Sequence, residues 1–217
     1  MNILLGLPKS TELSKQLPKK AIYEKFNMNT AAKEKFDADI SRINIVAEIS
    51  PNTVSIAKGE TVSAIYVLQV ILKQKEFDSK TISQISKLIE QNMLLVLDFD
   101  GERKLAIHHT KLIQSDWKPA DDCSISLTGL NLDTVWENLI TQVGSIEVEQ
   151  GHSLDEQIAA DEQKEKTERE IARLERMARN EKQPKKKFEL VTQINKLKAE
   201  LKLRAQITVE IEPKEVE

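Results

Sequence analysis

Ala64-Ile65-Tyr66-Val67-Leu68-Gln69-Val70-Ile71-Leu72, followed by Met93-Leu94-Leu95-Val96-Leu97, decides how this chain folds. Each run is almost continuously apolar and the first is rich in β-branched residues, which predicts strands covered on both faces rather than strands half in water. Between them lies a polar break from Lys73 to Lys80, after which Ile82, Ile85, Leu88 and Ile89 recur at helical spacing with Asp78 or Ser79 as N-cap. Two buried strands joined through one helix are a parallel crossover. The second run ends at Asp98-Phe99-Asp100-Gly101, where the Asp-Gly pair predicts a tight hairpin turn into Lys104-Leu105-Ala106-Ile107-His108. The expected fold class is therefore α/β or α+β, a compact domain with a mixed sheet.

Upstream, Thr53-Val54-Ser55-Ile56 alternates like a short strand, and Lys58-Gly59-Glu60 predicts a turn into the central strand. From Thr30 as N-cap, Phe36, Ile40, Ile43 and Ala47 step by four, three and four, which predicts an amphipathic helix to Ile49, ended by Ser50-Pro51-Asn52. The first 35 residues carry two proline-marked punctuations, Gly6-Leu7-Pro8 and Leu17-Pro18-Lys19-Lys20, and predict short extended or turn segments. Downstream, Trp117-Lys118-Pro119 marks a loop and Cys123-Ser124-Ile125-Ser126-Leu127 alternates as a further strand. Asn131 then caps a helix through Val135, Trp136, Leu139, Ile140 and Val143, with Gly144 as its natural stop. Residues 1–144 are read as one globular domain.

Residues 145–217 change character and are read as a charged helical hairpin with a short tail. Ser153 starts a helix with a thin stripe of Ile171, Leu174 and Ala178, and Glu181-Lys182-Gln183-Pro184-Lys185 breaks it. Leu190, Ile194, Leu197 and Leu201 follow at spacings of four, three and four, the seam of a coiled coil. A seam of about two to three heptads is marginal alone and would gain by packing on a partner or a second copy. Ile207-Thr208-Val209-Glu210-Ile211 alternates and is expected to add a strand, with Pro213 to Glu217 loose. The charge is uneven: residues 145–170 hold nine acids against three bases, whereas residues 171–187 hold seven bases against two acids. The root of the hairpin is acidic and its tip basic.

Composition narrows the function classes. Aromatics are 4% of the 217 residues, and after Trp136 only Phe188 occurs, so the packed core is expected before about residue 145. A net charge of −3 favours no polyanionic partner overall, leaving local patches to do so. Residues 1–35 form one such patch, with seven lysines, Lys19 and Lys20 among them, against three glutamates. A single cysteine, Cys123, excludes an internal disulfide framework and fits a reducing cytoplasm. No apolar stretch nears the roughly 20 residues that span a bilayer, and the opening Met-Asn-Ile-Leu-Leu lacks the basic region of a secretion signal.

The strand-helix-strand core invites comparison with restriction-type nucleases, which hold divalent metal with acids on adjacent strands and a nearby lysine. Between Ala64 and Lys75 there is no acid; Gln69 and Lys73 stand where that motif would be sought, at the wrong spacing. Asp98 and Asp100 would need help from Glu48 or Glu60 to bind a metal, and a hairpin-turn role is expected of both instead. His108 and His109 are adjacent in a strand and face opposite ways, so they cannot readily share a metal. With six glycines and no phosphate loop, nothing points to a nucleotide cofactor. No catalytic residue, metal ligand or cofactor is therefore assigned.

Taken together, Gly6-Leu7-Pro8, Leu17-Pro18-Lys19-Lys20, Ile49-Ser50-Pro51-Asn52-Thr53, Ala57-Lys58-Gly59-Glu60, Asp116-Trp117 and Gly129-Leu130-Asn131-Leu132 resemble the bacterial family known as domain of unknown function 4391, over residues 3 to about 210. The resemblance implies a cytoplasmic accessory protein encoded beside a large helicase and a DNA methyltransferase in restriction-like, phage-defence operons. The expected function is a non-catalytic adaptor that docks on such a partner through Leu190, Ile194, Leu197, Leu201, Ile171 and Leu174. Arg173, Arg176, Arg179, Lys185, Lys186 and Lys187 at the tip, with Lys19 and Lys20, are the candidate nucleic-acid contacts. A metal-dependent nuclease with dispersed acids and a sequence-independent DNA binder are the alternatives, and a homo-oligomer is also compatible.

Overall fold

The computed structural model describes residues 4–210, with side chains described for residues 5–203. The chain divides into two compact units, the first ending at Ile146 and the second beginning at Glu147.

In the first unit, β1 (Glu12–Leu17), α1 (Lys19–Lys25), α2 (Thr30–Asp39), β2 (Ile40–Ile49) and β3 (Ile65–Leu72) are followed by α3 (Ser79–Ile85) and β4 (Asn92–Phe99). Next come β5 (Glu102–His108), β6 (Leu112–Gln114), β7 (Lys118–Pro119) and α4 (Leu132–Gly144). The seven strands form one sheet in the order β1-β2-β3-β4-β5-β6, with β7 paired on β5. Only β3 and β4 run parallel, from Ile65 beside Asn92 to Ile71 beside Asp98; the remaining pairings are antiparallel. The architecture is α+β around a mixed sheet.

The central strands are buried as their composition requires, with Leu94, Leu95, Val96 and Leu97 fully covered. On one face Leu68, Val70, Leu95 and Leu97 pack with Ile22, Phe36, Ile82 and Ile85 from α1, α2 and α3. On the other face Val67, Leu94, Ile107 and Ile113 are register neighbours. Helix α4, which buries Val135, Trp136, Leu139, Ile140 and Val143, packs against β5 and β6. The Asp100-Gly101 turn has positive φ at both residues, 47° and 79°, as a two-residue hairpin loop requires.

Several expectations fail for identifiable reasons. The helix expected from Thr30 to Ile49 stops at Asp39 and starts one residue early, because Asn29 rather than Thr30 is the N-cap, accepting from the Ala32 N–H at 2.9 Å. Ile40 to Ile49 is strand β2. Its register shifts between Ile40 and Arg42 and again between Ile45 and Ala47. The second shift changes which residues face which side: Ile43 and Ile45 oppose Val70 and Leu68 towards the helices, whereas Ala47 and Ile49 oppose Val67 and Ile65 on the other face. Thr53 to Ile56 is a turn closed by the Thr53 hydroxyl, which accepts from the Ser50 N–H at 2.9 Å and donates to the Glu48 carbonyl at 2.8 Å. Cys123 to Leu127 joins no strand; the Ile125 N–H instead donates to the Leu5 carbonyl at 3.1 Å. Gly144 is the last residue of α4 rather than its stop, and Ser145 takes the left-handed conformation at φ 48°. A glycine is required there for space, since a Cβ on Gly144 would lie 2.8 Å from Ile113.

Candidate functional site

The second unit is a pair of long helices, α5 (Leu154–Asn180) and α6 (Pro184–Glu210). Ser153 opens α5 with a capping box: its Oγ accepts from the Glu156 N–H at 3.3 Å, and its own N–H donates to the Glu156 carboxylate at 2.8 Å. Residues 181–183 form the turn, and Pro184 stands at the first position of α6, where its missing N–H costs nothing. Ile207 to Glu210 continue α6 rather than forming a strand, because a helix already in register extends through them; Ile211 and Pro213 to Glu217 lie outside the described residues.

The apolar residues singled out for partner binding meet one another. Ile171, Leu174, Ala178 and Ile194 are buried together, and Leu190, Leu197 and Leu201 pack against them partly covered. The seam is thus satisfied within the hairpin, and the Lys198 ammonium crosses it to Glu175 at 2.7 Å. What stays outside is a second stripe on α6. Phe188, Thr192, Asn195, Ala199 and Leu203 recur by four, three, four and four, all exposed, on the side opposite the seam. Phe188 is 74% and Leu203 60% exposed. This uncharged line runs along a helix otherwise dense in charge, and no spacing rule applied to the seam reveals it.

The tip gathers Arg176, Arg179, Lys182, Lys185, Lys186 and Lys187, all exposed. Bordering the tip, Arg173 is held by Glu170 at 2.7 Å; within it, Arg179 lies 3.9 Å from Glu175. The three consecutive lysines occupy the first turn of α6, which contains no acid. There the positive end of the helix opposes them, so they weaken the helix that carries them.

The N-terminal lysines have a different role. Lys19 donates to Asp37 and to the Ile40 carbonyl, each at 2.6 Å; Lys25 donates to the Leu88 carbonyl, and Lys35 pairs with Asp78 at 2.6 Å. Tyr23 also donates to Asp37, and burial together with that carboxylate pushes its phenol up to about 12. Lys20 alone of the pair Lys19 and Lys20 stays well exposed, 3.9 Å from Glu24. Much of the local positive excess therefore pins α1 and α2 in place.

Asp98 sits in a polar row across four strands rather than in the turn. Asn44 and Gln69 are register partners 3.5 Å apart, Gln69 donates to Asp98 at 3.0 Å, and the Arg103 Nε donates to the same oxygen at 3.3 Å. Glu48, opposite Tyr66, lies on the other face of the sheet. Glu60 precedes the start of β3, about 20 Å along the strand from its end beside Asp98. The acids that a metal site would have to collect do not converge. Among the described residues no cluster of three His, Cys, Asp or Glu is placed to hold a metal ion.

At the start of α4, two distant stretches are clasped. Leu132 donates to the Ala57 carbonyl at 2.9 Å, and the Asp133 carboxylate accepts from the N–H groups of Glu60 and Val62 at 2.6 and 2.8 Å and from the Thr61 hydroxyl at 2.8 Å. The Thr61 hydroxyl, and after it the Val62 N–H, hold Asp133 below the usual carboxylate range. A depressed pKa stabilises the fold above the unfolded value, about 3.9, and that contribution disappears as pH falls through the folded value. In urea titrations from neutral pH down to about pH 3, the stability lead of the parent chain over Asp133→Asn should shrink as the acid is approached. A lead constant with pH would contradict this role.

The clasp joins Ala57-Lys58-Gly59-Glu60 to Gly129-Leu130-Asn131-Leu132, two of the stretches that carry the family resemblance. No curated protein and no solved structure gives a significant match to the chain. The family model described as Domain of unknown function (DUF4391) matches residues 5–201, most of the chain's length, and the protein belongs to that family.

Proposed function

We propose that the protein is a non-catalytic accessory subunit of a bacterial restriction-like, phage-defence assembly, working in the cytoplasm and docking on a large helicase-like or methyltransferase partner through its helical hairpin. The observation that carries this reading is the second stripe of α6, which leaves Ala199 and Leu203 in water on a helix whose own seam is already filled. An exposed, uncharged line at heptad-like spacing suits a partner helix or groove, with the flanking charges setting orientation. No described helix is long and apolar enough to cross a membrane. The nuclease alternative finds no support at Asp98, whose neighbours Gln69 and Arg103 are both donors.

The test is affinity purification of the tagged chain expressed with its neighbouring genes, beside the double variant Ala199→Asp, Leu203→Asp. Both positions are exposed, so the hairpin should keep its helicity. The parent chain should bring down a helicase-like or methyltransferase protein and the variant should lose most of it. Equal recovery by both, or no partner with either, would overturn the proposal.

A further inference from the structure

We infer that the tip of the hairpin binds single-stranded nucleic acid, its lysines on the phosphates and Phe188 stacked on a base. The inference rests on reading the hairpin as the binding element and names a ligand for its free end.

Three observations carry it. Between residues 176 and 187 six bases face one acid, Glu181, whose carboxylate is occupied by the Gln183 N–H at 2.8 Å. Lys185, Lys186 and Lys187 are consecutive on a helix and so point about 100° apart. They surround the tip instead of lining one face, an arrangement suited to a flexible polyanion and poorly suited to a fixed carboxylate pocket. Phe188 follows them directly, 74% exposed, and is the sole aromatic residue after Trp136 in the whole sequence. An aromatic ring held in water beside a run of cations matches the stacking and charge pairing by which single strands are bound. A duplex, with its bases already stacked, would use the cations alone.

The experiment is fluorescence anisotropy of the full chain with a labelled single-stranded oligonucleotide, the duplex of the same sequence, and a labelled polyglutamate peptide, across a range of salt. Single strands should bind best. Phe188→Ala should weaken single-strand binding by about 5- to 100-fold and leave duplex binding unchanged. Replacing Lys185, Lys186 and Lys187 together by Gln should weaken both and reduce the single-strand salt slope by about 2. The root variant Lys164→Gln, Lys166→Gln should bind like the parent, and circular dichroism would show that each variant keeps its helices. Absence of binding at low salt, an unchanged affinity in Phe188→Ala, or preference for the duplex or the peptide would each overturn the inference. The Ala199→Asp, Leu203→Asp variant should still bind the oligonucleotide, so loss of partner docking and loss of nucleic-acid binding are separately visible.

Discussion

Replacing Ile194 and Leu197 together by aspartate should unfold the hairpin and leave the first unit intact. Ile194 is buried against Ile171, Leu174 and Ala178, and Leu197 packs on the same cluster. Losing the Ile194 side chain alone would cost about 2–5 kcal/mol, and a carboxylate in its place adds a desolvation penalty, the nearby Lys198 ammonium being already engaged by Glu175. The hairpin has no larger core to absorb the loss, and isolated helices depend on such packing. Far-UV circular dichroism should therefore lose most of the signal of α5 and α6, while the tryptophan fluorescence of Trp117 and Trp136, both in the first unit, keeps its native melting transition. Undiminished helicity would refute the packing described for the seam. Seam variants therefore cannot separate docking from folding, whereas variants at the outer positions of α6 can.

Gly129→Ala should destabilise the first unit by about 2–4 kcal/mol. Gly129 has φ 149°, and a Cβ there would lie 2.8 Å from the Val135 backbone nitrogen. Backbone at the start of α4 cannot yield without moving Leu132, Val135 and Trp136, all buried. Gly59→Ala drives its Cβ into the Asp133 carboxylate and should break the same clasp from its other side, because the carboxylate can move only by surrendering its bonds to residues 60–62. Urea melts followed by Trp136 fluorescence would measure both. A Gly129→Ala protein within about 0.5 kcal/mol of the parent would mean that the Gly129 backbone does not lie against the first turn of α4.

The parts of the fold legible in the sequence are those whose local pattern and tertiary environment agree. The β3 and β4 runs, the Asp100-Gly101 turn, the Asp78 and Asn131 caps and the Ser153 helix start each need only local information, and each is found. Strand β2 fails that condition. Its two register shifts place buried residues at 40, 43, 45, 47 and 49, so Ile40, Ile43 and Ala47 mimic a helical face while Ile45 and Ile49 betray the strand. The alternation at Cys123 to Leu127 is real, but alternation makes a strand only where an edge is available to pair with. At the hairpin, seam and charge were readable and the free surface was not. Which of two stripes on α6 remains open depends on how α5 covers the other. Likewise, nothing near Lys19 announces that Asp37 and the Ile40 carbonyl will occupy it.

The sheet's spatial order repeats its order along the chain, and this bears on synthesis. As the ribosome releases roughly 5–20 residues per second, each strand from β2 to β6 finds its neighbour already made, with helices intervening at the β1–β2 step, through α1 and α2, and at the β3–β4 step, through α3. The vulnerable moment falls between Phe99 and Glu102, when β4, apolar throughout its middle, has emerged and β5 has not yet covered its outer edge. Slow codons in that window would prolong exposure of this apolar edge, whereas a pause after β6 would find it covered by β5 and the sheet closed by a short strand. Synonymous recoding of residues 99–108 should accordingly alter soluble yield more than recoding of α5 or α6.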